Sequence, residues 1–230
     1  MNYFAHARIA TSLGGDEAHV LGAMLPDFAH IVGIRIDAIE HASLSRGVSL
    51  HHRTDSAFHA TRAFRILQRE GVGELEAAGL GRGPARGAAH VGIELLLDVA
   101  LTGDPDGDAG YLLALAAAPA LADAIRWRDD RGASRWKTLH TRLVAAGTPS
   151  SSPERIAERV ARALASRPRL RLAPKDVGPV ALWLAASAGP VERAAPLLLE
   201  QTLAGLDDPN PPQTADRSGE NPLARGPRHG

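Results

Sequence analysis

Ala88-Ala89-His90-Val91-Gly92-Ile93-Glu94-Leu95-Leu96-Leu97-Asp98-Val99-Ala100-Leu101 is apolar on nearly every side of a 3.6-residue turn, the pattern of a helix buried all round. Its polar residues His90, Glu94 and Asp98 are spaced i, i+4, i+8 and fall within an arc of about 80°. An isolated buried carboxylate costs several kcal/mol or takes up a proton, so such groups persist when paired or when they hold a metal. No Lys or Arg lies between Gly87 and Gly110. The compensating charge must therefore come from elsewhere in space, either an arginine such as Arg53 or Arg86 or a cation.

The rest of the chain fits around such a helix. Ala and Leu dominate the apolar residues, only nine residues are aromatic, and β-branched runs are absent, so the 230 residues read as all-α. Helix-compatible stretches run over Tyr3–Ser12, Asp16–Val32, Ser45–Glu70, Pro84–Leu101, Asp108–Asp129, Ser134–Ala145, Pro153–Ala165, Pro174–Ala188 and Pro190–Leu203. Gly71, Gly103 and Gly147 read as stops, and Pro84, Pro153 and Pro190 as first helical positions. Gly71–Gly83 and Thr148–Ser152 read as loops. We expect one helical bundle domain of about nine helices over residues 1–205. Residues 206–230 are polar and rich in Pro and Gly, without apolar periodicity, and are expected to form a disordered tail.

Composition excludes several functions. Lys plus Arg and Asp plus Glu are both 26, which argues against a nucleic-acid binder working by phosphate neutralisation. There is no cysteine, hence no disulfide, thiolate zinc site or cysteine nucleophile. The first ten residues lack a signal-type apolar core and no segment is long enough to span a membrane, so a cytoplasmic protein is expected.

Any metal must therefore sit on His, Asp and Glu, and nine of the ten histidines lie within the first 140 residues. On the helix containing His51, taken as zero, Asp55 falls near 40°, His59 near 80° and His52 near 100° at about 100° per residue. A third element places Asp27 in apolar surroundings directly after Pro26, where a kink can turn a carboxylate toward a cavity. His6 is a fourth polar group among apolar neighbours. Each has a plainer reading: His6 as a satisfied core residue, Asp27 as a cap, the histidine face as solvated, and Glu94 with Asp98 as a structural ion pair. Together they offer the mixed N and O donors that suit Mn, Fe, Zn or Mg.

The blocks Asn2-Tyr3-Phe4-Ala5-His6, Gly22 through Phe28 and Gly47 through Asp55, with a later patch Ser166–Leu170, resemble segments of the acyl-carrier-protein phosphodiesterases. These are helical metal-dependent hydrolases grouped with the HD-type phosphohydrolases. The ordered His, Pro-Asp, His-His-Asp and His-Glu-Asp blocks are also similar to zinc-dependent phospholipase C-type proteins. The first resemblance implies an HD-domain-like fold and a functional acid at Asp27, with His51 and Asp55 as further site residues. His52, where that family tends to have Arg, and Leu97 through Leu101, which lacks a His after Asp98, depart from its pattern.

The resulting expectation is a phosphodiester hydrolase holding one or two divalent cations on Asp27, His51, Asp55, His90, Glu94 and Asp98. His6, His52 or His59 would donate a proton to the leaving group or orient a ligand. Arg53 and Arg169 would grip phosphate. An acyl carrier protein is the implied partner. The alternatives are a phospholipase C-like enzyme and a non-enzymatic helical protein with a structural metal site.

Overall fold

The computed structural model describes residues 1–149 and 152–206. Among these, nine α-helices surround one apolar core: α1 Tyr3–Ser12, α2 Glu17–Val32, α3 Ala42–Ala60, α4 Arg62–Ala77, α5 Arg82–Ala100, α6 Pro105–Ala117, α7 Arg131–Ala146, α8 Pro153–Leu164 and α9 Val177–Leu206. The all-α class expected from composition is the one observed. The expected tail from 207 onward and residues 150–151 of the expected Thr148–Ser152 loop lie outside the described residues.

Four expectations about the elements need correction. The single helix expected over Ser45–Glu70 is two, because Thr61 leaves helical geometry at ψ 145° and caps α4, accepting from Phe64 N at 3.2 Å. Gly71 does not stop α4. It lies inside the helix, where a Cβ would come within 2.7 Å of the Trp183 ring, so the glycine serves close packing instead. The pair expected on either side of Gly189 is one long α9 with Pro190 inside it. A proline at that position removes one ladder bond, to Ala186, whose residue is exposed and can give its carbonyl to water.

The stretch expected as helix over Asp108–Asp129 starts at Pro105, capped by Asp104, and ends at Ala117. Pro119 then gives a 3-10 turn over Ala118–Ala124, followed by a strand β2, Ile125–Trp127. It pairs antiparallel with β1, Ile36–Ile39. Short Ile and Trp positions in otherwise polar sequence thus make a two-stranded ribbon that the Ala/Leu-dominated composition hides.

Two contacts place the functional elements. Gly22 on α2 and Gly47 on α3 bring the two backbones together: a Cβ would lie 2.2 Å from Leu44 O at the first and 2.1 Å from His19 O at the second. On the other side of α1, Tyr3, Phe4, Phe28, Tyr111 and Trp136 form a chain of ring contacts 5.1–6.1 Å apart that locks α1 against α2, α6 and α7. The start of α1 is thereby pinned between α3 and α5.

Candidate metal centre

Two groups of potential ligands form where α1, α2, α3 and α5 meet. The first is His6, Asp27 and His51, whose donor atoms all lie within 4.8 Å of one another. Close approach of α2 and α3 puts His51 against the turn ahead of Pro26, where its Nδ1 donates to Ala23 O at 2.9 Å. His6 is 1% exposed and its ring centroid lies 3.9 Å from that of His51. Its Nδ1 contacts Thr54 Oγ1 at 2.8 Å, and its Nε2 faces Asp27 Oδ2 at 4.0 Å, too far for a hydrogen bond. Both of those facing atoms are buried without any partner. About a fifth of the Asp27 side chain is accessible, but through its outer edge, because Oδ2 itself is sealed.

Burial dominates the electrostatics of this first group. It pushes the Asp27 carboxyl well above the ordinary carboxylate range, against the pull of the Met1 ammonium. It lowers His51 to about 4 and holds His6 well below the usual imidazole value, where the neighbouring His51 adds to the effect. Near neutral pH, with no cation bound, both imidazoles are therefore neutral, and burial biases the carboxyl toward its protonated form.

The second group is His59, His90 and Glu94. The i, i+4 spacing on α5 puts His90 Nε2 3.1 Å from Glu94 Oε1, and His59 reaches the same oxygen from α3 at 3.0 Å. The two imidazoles stack at 4.8 Å with their Nε2 atoms 3.2 Å apart. Phe58 and Phe64 form an edge-on apolar wall around these rings. Behind the rings, His59 Nδ1 donates to Asp55 O at 2.9 Å and His90 Nδ1 contacts the Gln68 amide at 3.0 Å.

Asp55 and the Met1 amino group stand beside the second group. The ammonium lies 2.7 Å from Asp55 Oδ1 and 3.4 Å from Glu94 Oε1, and Asp55 Oδ2 is 3.3 Å from His59 Nδ1. Here burial is outweighed. It would raise Glu94, yet the Met1 ammonium and the two imidazoles hold the carboxyl well below its ordinary value. It would likewise raise Asp55, which the ammonium and His59 keep depressed. Burial would lower His59, but hydrogen bonds to Asp55 and Glu94 lift it to about 9. The ammonium rises to about 10, burial being overcome by Glu94 and then Asp55.

Of the residues expected at the site, Asp27 and His51 share one group, His90 and Glu94 share the other, and Asp55 stands beside the second. His6 and His59, expected as proton donors or orienting residues, present Nε2 within the two groups themselves. Asp98 belongs to neither. It is fully buried, but Oδ1 accepts from Ala5 N at 3.0 Å and Oδ2 from the Asn2 amide. It thus caps α1 from a distance, where the Asn2 side chain makes no cap of its own. Burial raises its carboxyl to about 6, while Arg159 of α8 and these donors pull the other way. Neither Arg53 nor Arg86 pairs with Asp98 among the described residues; Arg159 acts on it only at longer range than an ion pair.

His52 is exposed, edge-on to His51 at 5.3 Å. Arg53 turns from the site, donating to Leu206 O at 2.9 Å beside a cavity of about 620 Å³ lined by Gly14, Asp16, His19 and Arg46. Arg169 is exposed, with its backbone carbonyl over Gly83 at the start of α5, about 10 Å along the axis from His90. Neither arginine joins a ligand group.

Thr54, Gln68, Asn2 and the Met1 amine are contributors that sequence reasoning missed. Only Thr54 had a local sign, a polar residue one turn from His51 on the same face. A second cavity, about 530 Å³ between α4, α5 and α9, is lined by Leu67, Ile93 and Trp183 and lies behind α5 rather than at either group.

His6, His59 and His90 share one arrangement, with Nδ1 engaged by a protein group and Nε2 turned toward a carboxylate oxygen or another ring, and the Nδ1 of His51 is likewise fixed by Ala23 O. That is how metal-ligating histidines are held, with one nitrogen fixed by an outer partner and the other left for the cation. Two histidines and a carboxylate in each group match the donor number and type of catalytic zinc and of non-haem iron sites. No protein-family model, curated protein or solved structure matches the chain.

Proposed function

We propose that this chain is a metal-dependent phosphodiester hydrolase that holds one divalent cation at His6, Asp27 and His51 and another at His59, His90 and Glu94. The observation that carries the reading is the pair of sealed, partnerless atoms, His6 Nε2 and Asp27 Oδ2, 4.0 Å apart. Buried polar atoms without partners are rare, and a cation between these two satisfies both. When bound, a divalent cation lowers the pKa of its water toward neutrality and draws charge off phosphoryl oxygens.

The protein's own groups do the rest. Thr54, Ala23 O, Asp55 O and Gln68 orient the four rings, and Phe58 and Phe64 pack edge-on against the imidazoles of the second group. Asp55, depressed and ionised at neutral pH, stays charged and holds the Met1 ammonium and His59 in place. His52, exposed next to His51, is placed to give one to a leaving alkoxide. An acyl carrier protein or a phospholipid is the substrate the resemblance implies, and Arg53, which donates to Leu206 O, faces neither group.

A second reading is favoured by one feature of the second group. His59, Glu94 and the Met1 ammonium satisfy one another without a cation, as a structural ion cluster in a non-enzymatic protein would. Metal analysis of purified protein together with hydrolysis of bis(4-nitrophenyl) phosphate separates the two. The hydrolase reading expects bound zinc, manganese or iron, turnover lost to chelator and restored by metal, and loss of turnover in Asp27→Asn. A folded chain that binds no divalent cation at all overturns it.

A further inference from the structure

Which nitrogen of His6 faces Asp27 with a lone pair is decided by one buried hydroxyl. Thr54 is 1% exposed, and its Oγ1 lies 2.8 Å from His6 Nδ1, 2.9 Å from Leu50 O and 2.9 Å from His51 O. A hydroxyl carries one proton and accepts through its lone pairs, whereas a backbone carbonyl only accepts. If the Thr54 proton went to His6, its oxygen would sit against two carbonyl oxygens with no hydrogen between them. Given instead to α3's own backbone, that proton satisfies the contact and leaves a lone pair directed at Nδ1. His6 must then carry its proton on Nδ1, and Nε2, which has no partner, is the free lone pair.

We propose that Thr54 is a positioning residue for His6, its backbone-committed hydroxyl accepting the Nδ1 proton and so reserving Nε2 for a cation opposite Asp27. His51 and His59 need no such residue, because Ala23 O and Asp55 O are carbonyls and fix those rings through the main chain. His6 sits near the start of α1, where no main-chain carbonyl reaches its ring, and the same task falls to a side chain from α3. The consequence for a cation rests on the proposed metal site, while the proton placement does not.

Two-bond ¹H–¹⁵N correlation spectra of the chelator-treated chain near neutral pH read the proton position directly, with His6 assigned by a His6→Gln variant. The wild type and Thr54→Ser are expected to show the Nδ1–H pattern at His6. Thr54→Val, which keeps the shape and loses the acceptor, should revert to the Nε2–H form that free histidine prefers. A wild-type His6 protonated on Nε2 overturns the proposal, and needs no variant to fold; so does a folded Thr54→Val that keeps Nδ1–H. Zinc titration adds a functional reading: affinity at the first group should fall by about 10–100-fold in Thr54→Val and recover in Thr54→Ser. Zinc that fails to bind a wild type showing Nδ1–H at His6 rejects the hydrolase reading alone and leaves the proton placement standing.

Discussion

The two ligand groups use the same residue types and differ in how they tolerate the absence of a cation. In the His6, Asp27 and His51 group, burial prevails and charge is suppressed: the carboxyl is pushed well up from its ordinary value and both rings are held neutral. In the His59, His90 and Glu94 group, charge survives because opposite charges are within reach, with His59 raised to about 9 and Glu94 depressed. The difference comes from the neighbours. The Met1 ammonium and Asp55 touch the second group, and no ionised group touches the first within hydrogen-bond distance among the described residues. The first group leaves two buried polar atoms without a partner among the described residues, whereas the second is satisfied by a proton and an ammonium.

The largest way to break this contrast is to remove the charge that holds the second group together. Glu94→Gln leaves the His59 imidazolium and the Met1 ammonium buried with only Asp55 for company, and losing one partner of a buried ion pair typically costs about 3–5 kcal/mol. Denaturant unfolding near pH 7 should show a loss of that size. A loss below about 1 kcal/mol would mean that the second group is as neutral as the first.

Cation binding comes next. Zinc at about 100 times its dissociation constant should stabilise the chain by about 2.7 kcal/mol per site, a rise in Tm of about 5–10 °C. Near neutral pH both groups should release protons on binding, the first from the raised Asp27 carboxyl and the second from the His59 imidazolium. Calorimetry in buffers of different ionisation enthalpy should therefore report net proton release, reduced in Asp27→Asn. Uptake of protons, or none exchanged, contradicts the protonation states described above.

The third prediction reverses the usual sign for an acidic residue. The Asp27 carboxyl is raised in the folded protein, so the unfolded chain ionises it from about pH 4 while the folded chain does not. Stability is therefore drained as pH rises above that point until the folded carboxyl ionises as well. Metal-free Asp27→Asn should match the wild type at pH 3 and exceed it near pH 7 by on the order of 1 kcal/mol. His51 behaves oppositely in the same group. Its value of about 4 favours the folded state above the ordinary imidazole range, an advantage lost as pH falls from about 6.5 through 4. A variant less stable than the wild type near neutral pH would show that Asp27 is ionised and paired in the metal-free chain.

How far these features were legible in the sequence follows from the range of the interactions. The α5 pattern announced its buried acids, because an all-apolar helix surface is a local property. Their partners were not legible. Glu94 is balanced by an imidazole from α3 and the Met1 amine, and Asp98 by backbone amides of α1 and by Arg159, none of which is encoded near those acids. Two polar residues one turn apart on one helix thus took different tasks, and spacing alone gave no means of telling them apart. Helix boundaries failed where one residue does two things. Thr61 is compatible with a helix interior yet caps α4, and Gly71 resembles a stop yet packs against Trp183.

The smallest expected effect tests the outer limit of the site. Arg53 lies on the same helix as His51 and Asp55, and sequence alone makes it the natural phosphate grip. At two residues from His51 it is rotated by about 200°, onto the opposite face of α3. There it is exposed and donates only to Leu206 O. Arg53→Ala should therefore change stability by no more than about 0.5 kcal/mol, the range of ordinary surface substitutions, and leave zinc affinity at both groups unchanged. If the proposed hydrolase reading holds, phosphodiester turnover should keep its KM within about twofold, since a group facing away from both ligand groups would contribute no binding energy to a phosphate bound there. A KM raised tenfold or more with kcat intact would place the substrate over this face of α3 and extend the site beyond the two groups. Because helix geometry fixes the direction of Arg53 independently of any cation, that outcome would revise where the phosphate lies while leaving the ligand assignment of the inward-facing residues untouched.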